Sequence, residues 1–235
     1  MARKCIITGS NQGIGLAIAR QLLEEGNDVI LCARNTSKLK AALDTLVAQY
    51  PEQEVLAKDL DVRSKASIKA LGKFVTTSWG ALDVLVNNAG TFTPGSILTE
   101  QEGELEFMME TNAYSAYHMT RELYPLLSSS TNAHIVNICS IANLGAYPNG
   151  GSYSISKFAM HGFSQNLREE LKPTGIKVTS VMPGATWTES WEGSGVNPER
   201  MMSVEDISES VCSALRLGPR AVVEEIVIRP QLGDL

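Results

Sequence analysis

The stretch TGSNQGIG, residues 8–15, lies between an apolar β-branched run, CIIT, and an amphipathic segment, GIGLAIARQLLEEG. Ile14, Ile18 and Leu22 recur with the period of a helix, so the sequence predicts a strand, a tight turn and a helix in succession. The three glycines of the stretch have no β-carbon, which lets the backbone bend sharply and approach a ligand closely. The unpaired N–H groups and the positive dipole end of the helix then suit a pyrophosphate. The alternative interpretation is a tight turn without a ligand.

The second predicted strand, DVILCA, ends at Ala33 and is followed by Arg34. In dinucleotide-binding folds an acidic residue near this position binds the adenosine ribose hydroxyls, and none is present here. A carboxylate repels a 2′-phosphate, whereas a guanidinium can donate paired hydrogen bonds to one. The sequence therefore predicts a preference for NADP(H) over NAD(H). A merely solvated Arg34 is the alternative, and Asn11 and Gln12 in the glycine turn add no positive charge.

Short apolar runs alternate with longer amphipathic ones along the whole chain. Strands are predicted at CIIT, DVILCA, EVLAKDL, LDVLVNNAG, AHIVNICS, IKVTSVMPG and AVVEEIVI, and further helices over residues 64–79, 104–127 and 152–172 and in VEDISESVCSALRL. Nearly continuous apolar strands between helices are typical of a parallel sheet that is covered on both faces. The sequence predicts a single domain, residues 1–235, with a doubly wound Rossmann-type α/β fold of about seven parallel strands. Ligands are expected at the carboxyl ends of the strands, near the point where the strand order reverses.

The composition excludes several other classes of protein. The formal net charge is −6 and no run of Lys and Arg forms a basic patch, which argues against nucleic-acid binding. No apolar stretch is long enough to cross a membrane or has the form of a signal peptide. The four cysteines are scattered through apolar runs without a CxxC pair, so neither a disulfide framework nor a metal site is expected. These features predict a reduced, cytoplasmic, soluble protein.

The sequence GGSYSISKFAM, residues 150–160, places Tyr153 and Lys157 one helical turn apart. Residues at this spacing share a helix face. A free tyrosine has a pKa of about 10, and a cation within a few ångströms favours tyrosinate and lowers that pKa. We interpret the pair as an acid–base catalyst in which Lys157 tunes Tyr153. The alternative is an ordinary helix pair with a lysine that reaches to solvent.

These motifs together resemble the short-chain dehydrogenase/reductase family over essentially the whole chain. TGSNQGIG is similar to the glycine motif of that family, NNAG at residues 87–90 to its fourth-strand motif, and YSISK at residues 153–157 to its YxxxK signature. The resemblance implies hydride transfer between NADP(H) and a carbonyl compound or secondary alcohol. The catalytic residues that it implies are Asn112, Ser140, Tyr153 and Lys157. The cofactor-binding residues that it implies are Thr8, Gly9, Ser10, Asn11, Gln12, Gly13, Ile14, Gly15, Arg34, Asn35, Asp61, Val62, Asn88, Ala89, Gly90, Tyr153, Lys157, Pro183, Gly184, Thr186 and Thr188.

The resemblance also implies individual roles. Ser140 would donate a hydrogen bond to the substrate carbonyl oxygen, and Lys157 would also bind the nicotinamide ribose. Asn112 would hold a water that relays protons between Lys157 and solvent. The DVRS stretch, with Asp61 and Val62, would contact the adenine.

The PGATWT stretch resembles the motif that follows the sixth strand of the family. Pro183 and Gly184 would flank the nicotinamide, with Thr188 near its carboxamide. The segment from about residue 185 to residue 202 is predicted to be a substrate lid, because its Gly, Ser and Pro content favours mobility. Its large apolar residues are expected either to line a pocket or to pack on neighbouring helices: Trp187, Trp191, Met201 and Met202.

Within the family the chain looks most like the 3-oxoacyl-carrier-protein reductase-like and sepiapterin reductase-like members. The expected partners are a small carbonyl or alcohol substrate and further copies of the chain, in a homodimer or homotetramer paired through the helices near residues 104–127 and 152–172. Two other functions stay open at this point. One is an NAD(H)-dependent alcohol dehydrogenase, and the other is a non-catalytic dinucleotide sensor or scaffold.

Overall fold

The structure is a computed structural model that describes residues 2–191, 193 and 195–234. Its strands are β1 (Lys4–Thr8), β2 (Asp28–Ala33), β3 (Val55–Asp59), β4 (Val84–Asn87), β5 (His134–Ile138), β6 (Lys177–Pro183) and β7 (Glu225–Ile228). In the described part of the chain they form one parallel sheet in the order β3-β2-β1-β4-β5-β6-β7. The predicted fold class is confirmed.

The helices lie between the strands. They are α1 (Gly13–Glu24), α2 (Thr36–Gln49), α3 (Lys65–Ser78), α4 (Glu104–Met109), α5 (Ser115–Leu127), α6 (Gly151–Leu171) and α7 (Val204–Leu215). The single helix predicted over residues 104–127 is interrupted by a π-helical turn, Glu110–Tyr114, between α4 and α5. The sequence pattern did not indicate α2, because its apolar stripe is narrow: Leu39, Ala42 and Leu46 are its buried residues.

The core has two halves, one on each face of the sheet. Side chains of α1, α2 and α7 form one cluster with the sheet, and side chains of α3, α5 and α6 form the other. In β1, Ile7 packs into the first cluster and Ile6 into the second, and both are fully buried. Because alternate side chains of a strand point to opposite faces, burial on both faces requires a continuous apolar run.

The strand order reverses between β1 and β4, since β2 and β3 lie on one side of β1 and the remaining strands on the other. The segments that leave the carboxyl ends of β1 and β4 therefore diverge and open a crevice. Thr8 ends β1 and Asn87 ends β4, so the glycine turn and the NNAG segment face each other across it.

The cysteines do not form a second reactive site. All four are unpaired and buried. Burial raises the pKa of the Cys139 thiol to about 11 and that of the Cys212 thiol to about 12, so neither is a thiolate near neutral pH. Among the described residues no group of His, Cys, Asp and Glu could hold a metal ion. Over the same residues no helix is long and apolar enough to cross a membrane.

Candidate active site

Hydrogen bonds join the glycine turn to the NNAG segment across the crevice. The Thr8 hydroxyl accepts from the backbone N–H groups of Asn88 and Ala89, at 2.9 Å each. The Asn88 side-chain amide donates in return to the carbonyl oxygens of Thr8 and Gly9, at 2.8 and 3.1 Å. The two predicted motifs are thus one connected unit, in which the side chains of Thr8 and Asn88 shape the crevice.

Two glycines of the turn are required by close packing. A β-carbon on Gly9 would lie 3.0 Å from the Cα of Ala89. One on Gly15 would lie 2.5 Å from both the Asn88 side-chain nitrogen and the Gly9 carbonyl oxygen. Only glycine therefore lets β1, β4 and the start of α1 approach each other this closely.

The α1 end of the turn meets the segment that follows β6. Gly13 begins α1 with a φ of +57°, a conformation that L side chains rarely adopt. The Thr188 side chain lies 3.6 Å from the position of a β-carbon on Gly13. Ile14 and Thr188 line one cleft, so that cleft begins at the helix N-terminus, where N–H groups and the dipole favour an anion.

Ser10 stabilises the glycine turn through hydrogen bonds to the backbone. Its hydroxyl donates to the Ile7 carbonyl at 2.8 Å and accepts from the Cys32 N–H at 2.9 Å. Its own N–H donates to the Cys32 carbonyl at 3.2 Å. Ser10, predicted as a cofactor contact, therefore has neither its hydroxyl proton nor its N–H free for a ligand. The neighbouring Asn11 and Gln12 side chains are partly buried and hydrogen-bonded to each other at 3.3 Å.

The carboxyl ends of β2 and β3 carry the residues predicted to contact the adenosine. Arg34 follows β2 and is exposed, and its guanidinium has no ion-pair partner among the residues that the structure describes. The Asn35 side chain caps α2 by accepting from a backbone N–H. Two hydrogen bonds from Arg63 hold the pKa of Asp61 at about 2, and the charge of Arg34 contributes in the same direction. Val62 is buried in the core, so its backbone is the part that a ligand could contact.

Lys38 is a basic residue at this end of the site that the sequence reasoning missed. Its ammonium lies 2.8 Å from the Gln12 side-chain oxygen and 2.7 Å from the Glu189 carboxylate. Lys38 therefore adds a positive charge beside the glycine turn. The signal that could have found it is its place in the first turn of α2, four residues after Arg34, and α2 itself was not predicted.

Three predicted catalytic side chains come together beyond β5. Ser140 lies two residues after β5, and Tyr153 and Lys157 lie in the first two turns of α6. The Ser140 side chain lies beside the Tyr153 phenol, close enough to act on its pKa. The Lys157 ammonium lies 5.7 Å from the centroid of the Tyr153 ring and donates to the Ile138 carbonyl at 3.0 Å. The Phe92 ring packs edge-on against Tyr153 with centroids 4.7 Å apart.

Burial is the largest cause of the pKa shifts of Tyr153 and Lys157. It raises the pKa of Tyr153, and the neighbouring Ser140 side chain opposes it by a smaller amount. Burial also lowers the pKa of Lys157. The pKa of Tyr153 therefore lies above its ordinary value in the protein alone, and the expectation that Lys157 lowers it together with a bound nicotinamide stays a prediction. The phenol is a neutral proton donor near neutral pH, and a further positive charge beside it would be needed to favour tyrosinate.

Asn112 lies in the π-helical turn between α4 and α5. Its Oδ1 accepts from the Thr91 N–H at 2.8 Å, and its Nδ2 donates to the Thr91 carbonyl at 3.0 Å and to the Ser156 hydroxyl at 2.9 Å. Both amide protons are used, so a water would have to bind the remaining lone pair of Oδ1 or the main-chain carbonyl of Asn112. Ser156 is fully buried and was not predicted, although it lies within the YSISK motif.

Gly90 keeps space open between Asn112 and Lys157. A β-carbon on Gly90 would lie 3.3 Å from the Asn112 side-chain oxygen and 3.6 Å from the Lys157 ammonium. The two polar groups therefore border the same small volume.

The catalytic group opens into a cleft of about 760 Å³. The cleft runs from Ile14 at the glycine turn past Ser140 and Tyr153 to Trp191.

A family model described as short chain dehydrogenase matches residues 3–197. The chain belongs to the short-chain dehydrogenase family. An uncharacterised oxidoreductase of Staphylococcus aureus strain N315 is 32% identical over 225 residues, which cover 96% of each chain.

Solved structures of other dehydrogenases and reductases superpose closely on this short-chain dehydrogenase. An alcohol dehydrogenase from the archaeon Thermococcus sibiricus, complexed with 5-hydroxy-NADP, has a TM-score of 0.91 and 26% identity, covering 100% of this chain and 99% of that one. L-sorbose reductase from Gluconobacter frateurii, complexed with NADPH and L-sorbose, has a TM-score of 0.90 and 25% identity, covering 97% and 95%.

In this short-chain dehydrogenase the two ends of the segment predicted as a lid, residues 185–202, are paired with each other. Thr186 and Met202 form an isolated parallel bridge. Met202 is buried in the core cluster of α1 and α7, and Met201 is also buried. The methionines therefore anchor the segment.

The tip of the segment is close to the cleft. Trp191 lines the cleft, whereas Trp187 is partly exposed. Glu189 forms the ion pair with Lys38 that joins the tip to α2. Glu192 and Ser194 lie outside the described residues.

The last residues of the chain also border the cleft, which the sequence reasoning missed. Pro183 pairs with Ile228, so the chain leaves β7 beside the end of β6. Arg229 and Asp234 form an ion pair at the cleft wall. A β-carbon on Gly184 would lie 3.0 Å from the Asp234 carboxylate. The usable signal was the position of this segment after the carboxyl end of a strand, where ligands bind in this class of fold.

Proposed function

We propose that this short-chain dehydrogenase is an oxidoreductase that transfers a hydride between NADP(H) and a carbonyl compound or secondary alcohol, acting as a ketone or aldehyde reductase. One observation carries the proposal. The Ser140 hydroxyl, the Tyr153 phenol and the Lys157 ammonium are adjacent at the end of β5, in a cleft that continues to the glycine turn.

The protein groups suit the proton side of a carbonyl reduction. NADPH, when bound, supplies the hydride that reduces the carbonyl carbon. Tyr153 is neutral and can donate its proton to the oxygen as negative charge develops there. The Ser140 hydroxyl can hold that oxygen beside the phenol, and the Lys157 ammonium stabilises the tyrosinate that remains. Gly90 leaves room for a water that returns a proton past Asn112.

The residues of the crevice fit a dinucleotide phosphate. Gly9 and Gly15 allow a backbone turn that any β-carbon would obstruct. Arg34 is exposed beside the end of β2, where the second phosphate of NADP(H) is expected, and Lys38 lies nearby in an ion pair with Glu189. The alcohol dehydrogenase of Thermococcus sibiricus and the L-sorbose reductase, solved with 5-hydroxy-NADP and NADPH respectively, support this choice of cofactor.

Replacing Arg34 by Asp should reverse the cofactor preference. Loss of a charge-assisted hydrogen bond and addition of a like charge should weaken NADPH binding by about tenfold or more, while NADH binding is unchanged or tighter. Fluorescence titration with both nucleotides measures this. Arg220→Asp, at an exposed position before β7, is the matched control for a change in net charge. Equal weakening of NADPH binding in both variants would contradict the assignment of Arg34.

The test of the function itself is turnover over a panel of small ketones and aldehydes with NADPH and with NADH. Oxidation of NADPH by one or more substrates is the expected result. Preference for NADH would favour the NAD(H)-dependent alcohol dehydrogenase. Tight nucleotide binding without turnover of any substrate would favour the dinucleotide sensor, which does not need Tyr153 and Lys157 beside Ser140.

An exposed apolar face on α5 and α6 supports self-association of the chain. Tyr117 and Tyr124 on α5 and Ile155 and Phe158 on α6 are each 39–46% exposed. A surface of this kind is typical of a protein–protein interface. We assign it to a homodimer or homotetramer that works in the cytoplasm, where the four unpaired cysteines stay reduced.

Charges on this face should separate the subunits. Tyr117→Glu combined with Phe158→Glu is expected to give a monomer, because burial of carboxylates in an interface is unfavourable. Light scattering after size-exclusion chromatography measures the mass. Val47→Glu, on the 48% exposed Val47 of α2, is the matched control and should leave the mass unchanged. A wild-type mass of one chain would exclude the assigned interface.

A further inference from the structure

A chain of hydrogen bonds runs from the backbone of Ser140 to the protein surface. The Ser140 N–H donates to Oδ1 of Asn143 at 3.2 Å, and Nδ2 of Asn143 lies 3.0 Å from Nδ1 of His161. Nε2 of His161 lies 2.8 Å from the Glu225 carboxylate. Asn143 is 3% exposed, so its amide has to find its partners within the protein.

The partners of Asn143 determine which nitrogen of His161 carries the proton. Oδ1 has to face the Ser140 N–H, which can only donate. Nδ2 then faces His161 and also lies 3.3 Å from the Met182 sulfur, so it donates to both. Nδ1 of His161 must therefore be an acceptor, and the ring proton lies on Nε2, where it is donated to Glu225. This hydrogen bond is the main cause that lowers the pKa of Glu225.

The orientation of the Ser140 hydroxyl depends on this arrangement. Ser140 caps the short 3₁₀ turn Ile141–Asn143, and its oxygen accepts from the Ala142 N–H at 3.1 Å. The Ala142 carbonyl accepts from the Ser154 hydroxyl on α6 at 2.8 Å. The capping bonds therefore set the backbone that aims the hydroxyl at Tyr153.

A proton on Nδ1 of His161 would oppose the arrangement. The Nδ1 proton and the Nδ2 protons of Asn143 would then face each other, and two donors cannot form a hydrogen bond. Rotating the Asn143 amide by 180° would instead place its Nδ2 protons opposite the Ser140 N–H, which is also a donor. The groups that face His161 from neighbouring elements are Glu225 on β7 and Asn143, whose Nδ2 also contacts the uncharged Met182 on β6. Gln165, one turn along α6, also donates to Glu225. The next charged groups are Lys157, one turn before His161 on α6, and Arg168 and Glu224, which pair with each other.

We propose that His161 is a positioning residue for catalysis: His161 orients Asn143, and Asn143 holds the Ser140 backbone that places the hydroxyl beside Tyr153. The proposal rests on the proposed reductase function.

Two substitutions separate the two bonds of His161. In His161→Asn the shorter side chain places an amide oxygen near the position of Nδ1, so the hydrogen bond with Asn143 is kept and the one with Glu225 is lost. In His161→Gln the longer side chain places its amide near the position of Nε2, so the hydrogen bond with Glu225 is kept and the one with Asn143 is lost. The expected result is near-normal kcat in His161→Asn and a kcat lower by about tenfold in His161→Gln, with the KM for NADPH unchanged in both. Equal kcat in the two variants, or a change in the KM for NADPH alone, overturns the proposal.

Nitrogen-15 NMR of the imidazole tests the same arrangement without any substrate. The neutral His161 ring is expected as the Nε2–H tautomer, and the Ser140 amide should exchange with solvent faster in His161→Gln than in His161→Asn. The Nδ1–H tautomer, or equal exchange in both variants, overturns the proposal. These readouts stay decisive if no carbonyl compound is reduced, so failure of the reductase function and failure of the His161 role give different results.

Discussion

Tyr153→Phe is expected to lower kcat for carbonyl reduction by at least about a hundredfold, the scale of general acid–base catalysis. The substitution removes the hydroxyl that lies beside Ser140 and leaves the ring packed against Phe92. A tyrosine is already protonated near neutral pH and burial raises its pKa further, so its proton is available to the reduced oxygen. Steady-state NADPH oxidation measures the loss, and NADPH binding should be unchanged.

Tyr147→Phe is the matched control for this substitution. Tyr147 is a tyrosine of the same cleft, and burial also raises its pKa, but it is not part of the group with Ser140 and Lys157. Its loss should change kcat far less than the loss of the Tyr153 hydroxyl. Equal losses in both variants, or normal turnover in Tyr153→Phe, would show that the proton comes from another group.

Gly15→Ala should abolish cofactor binding and destabilise the fold. The added methyl group would overlap the Asn88 amide and the Gly9 carbonyl, each 2.5 Å away, and the backbone cannot yield as a flexible side chain can. Overpacking of this kind costs about 1–3 kcal/mol of the free energy of unfolding, and for a chain of this size each kcal/mol lowers the Tm by about 2–4 °C. Thermal unfolding and NADPH titration measure the two effects.

Gly218→Ala is the control for a glycine that carries no such constraint. No heavy atom lies within 4 Å of a β-carbon at Gly218, and its φ is not in the left-handed region. Its Tm and its NADPH affinity should equal those of the wild type. NADPH binding of normal strength in Gly15→Ala would mean that the junction of the glycine turn with the NNAG segment is not the phosphate site.

The fold was predictable because its signals are local. The glycine turn lies directly between a strand and a helix in the chain, and continuous apolar strands can be read without knowing their neighbours. The errors lie where local signals are weak or depend on tertiary contacts. α2 has a narrow apolar stripe, and the π-helical turn at Asn112 is accompanied by hydrogen bonds to Thr91 and Ser156 that no periodicity shows.

The residues of the candidate site also divide into those that local motifs indicate and those that only tertiary contacts bring there. The motifs indicated Ser140, Tyr153 and Lys157, and the structure brings them together. Lys38, Arg229 and His161 carry no motif. They reach the cleft or its supporting hydrogen bonds only because α2, the end of β7 and the outer face of α6 pack where they do.

The sequence by itself determined the sheet, the glycine turn and the pairing of Tyr153 with Lys157, since each depends on residues that are close in the chain. Only the tertiary structure decided the direction of the pKa shifts in that pair and the groups that support it. Burial raises the pKa of Tyr153, and hydrogen bonds join Ser140 through Asn143 and His161 to Glu225 on a different strand. Desolvation and hydrogen bonds between distant segments depend on which residues are close in space. The spacing of residues along the chain does not give those distances.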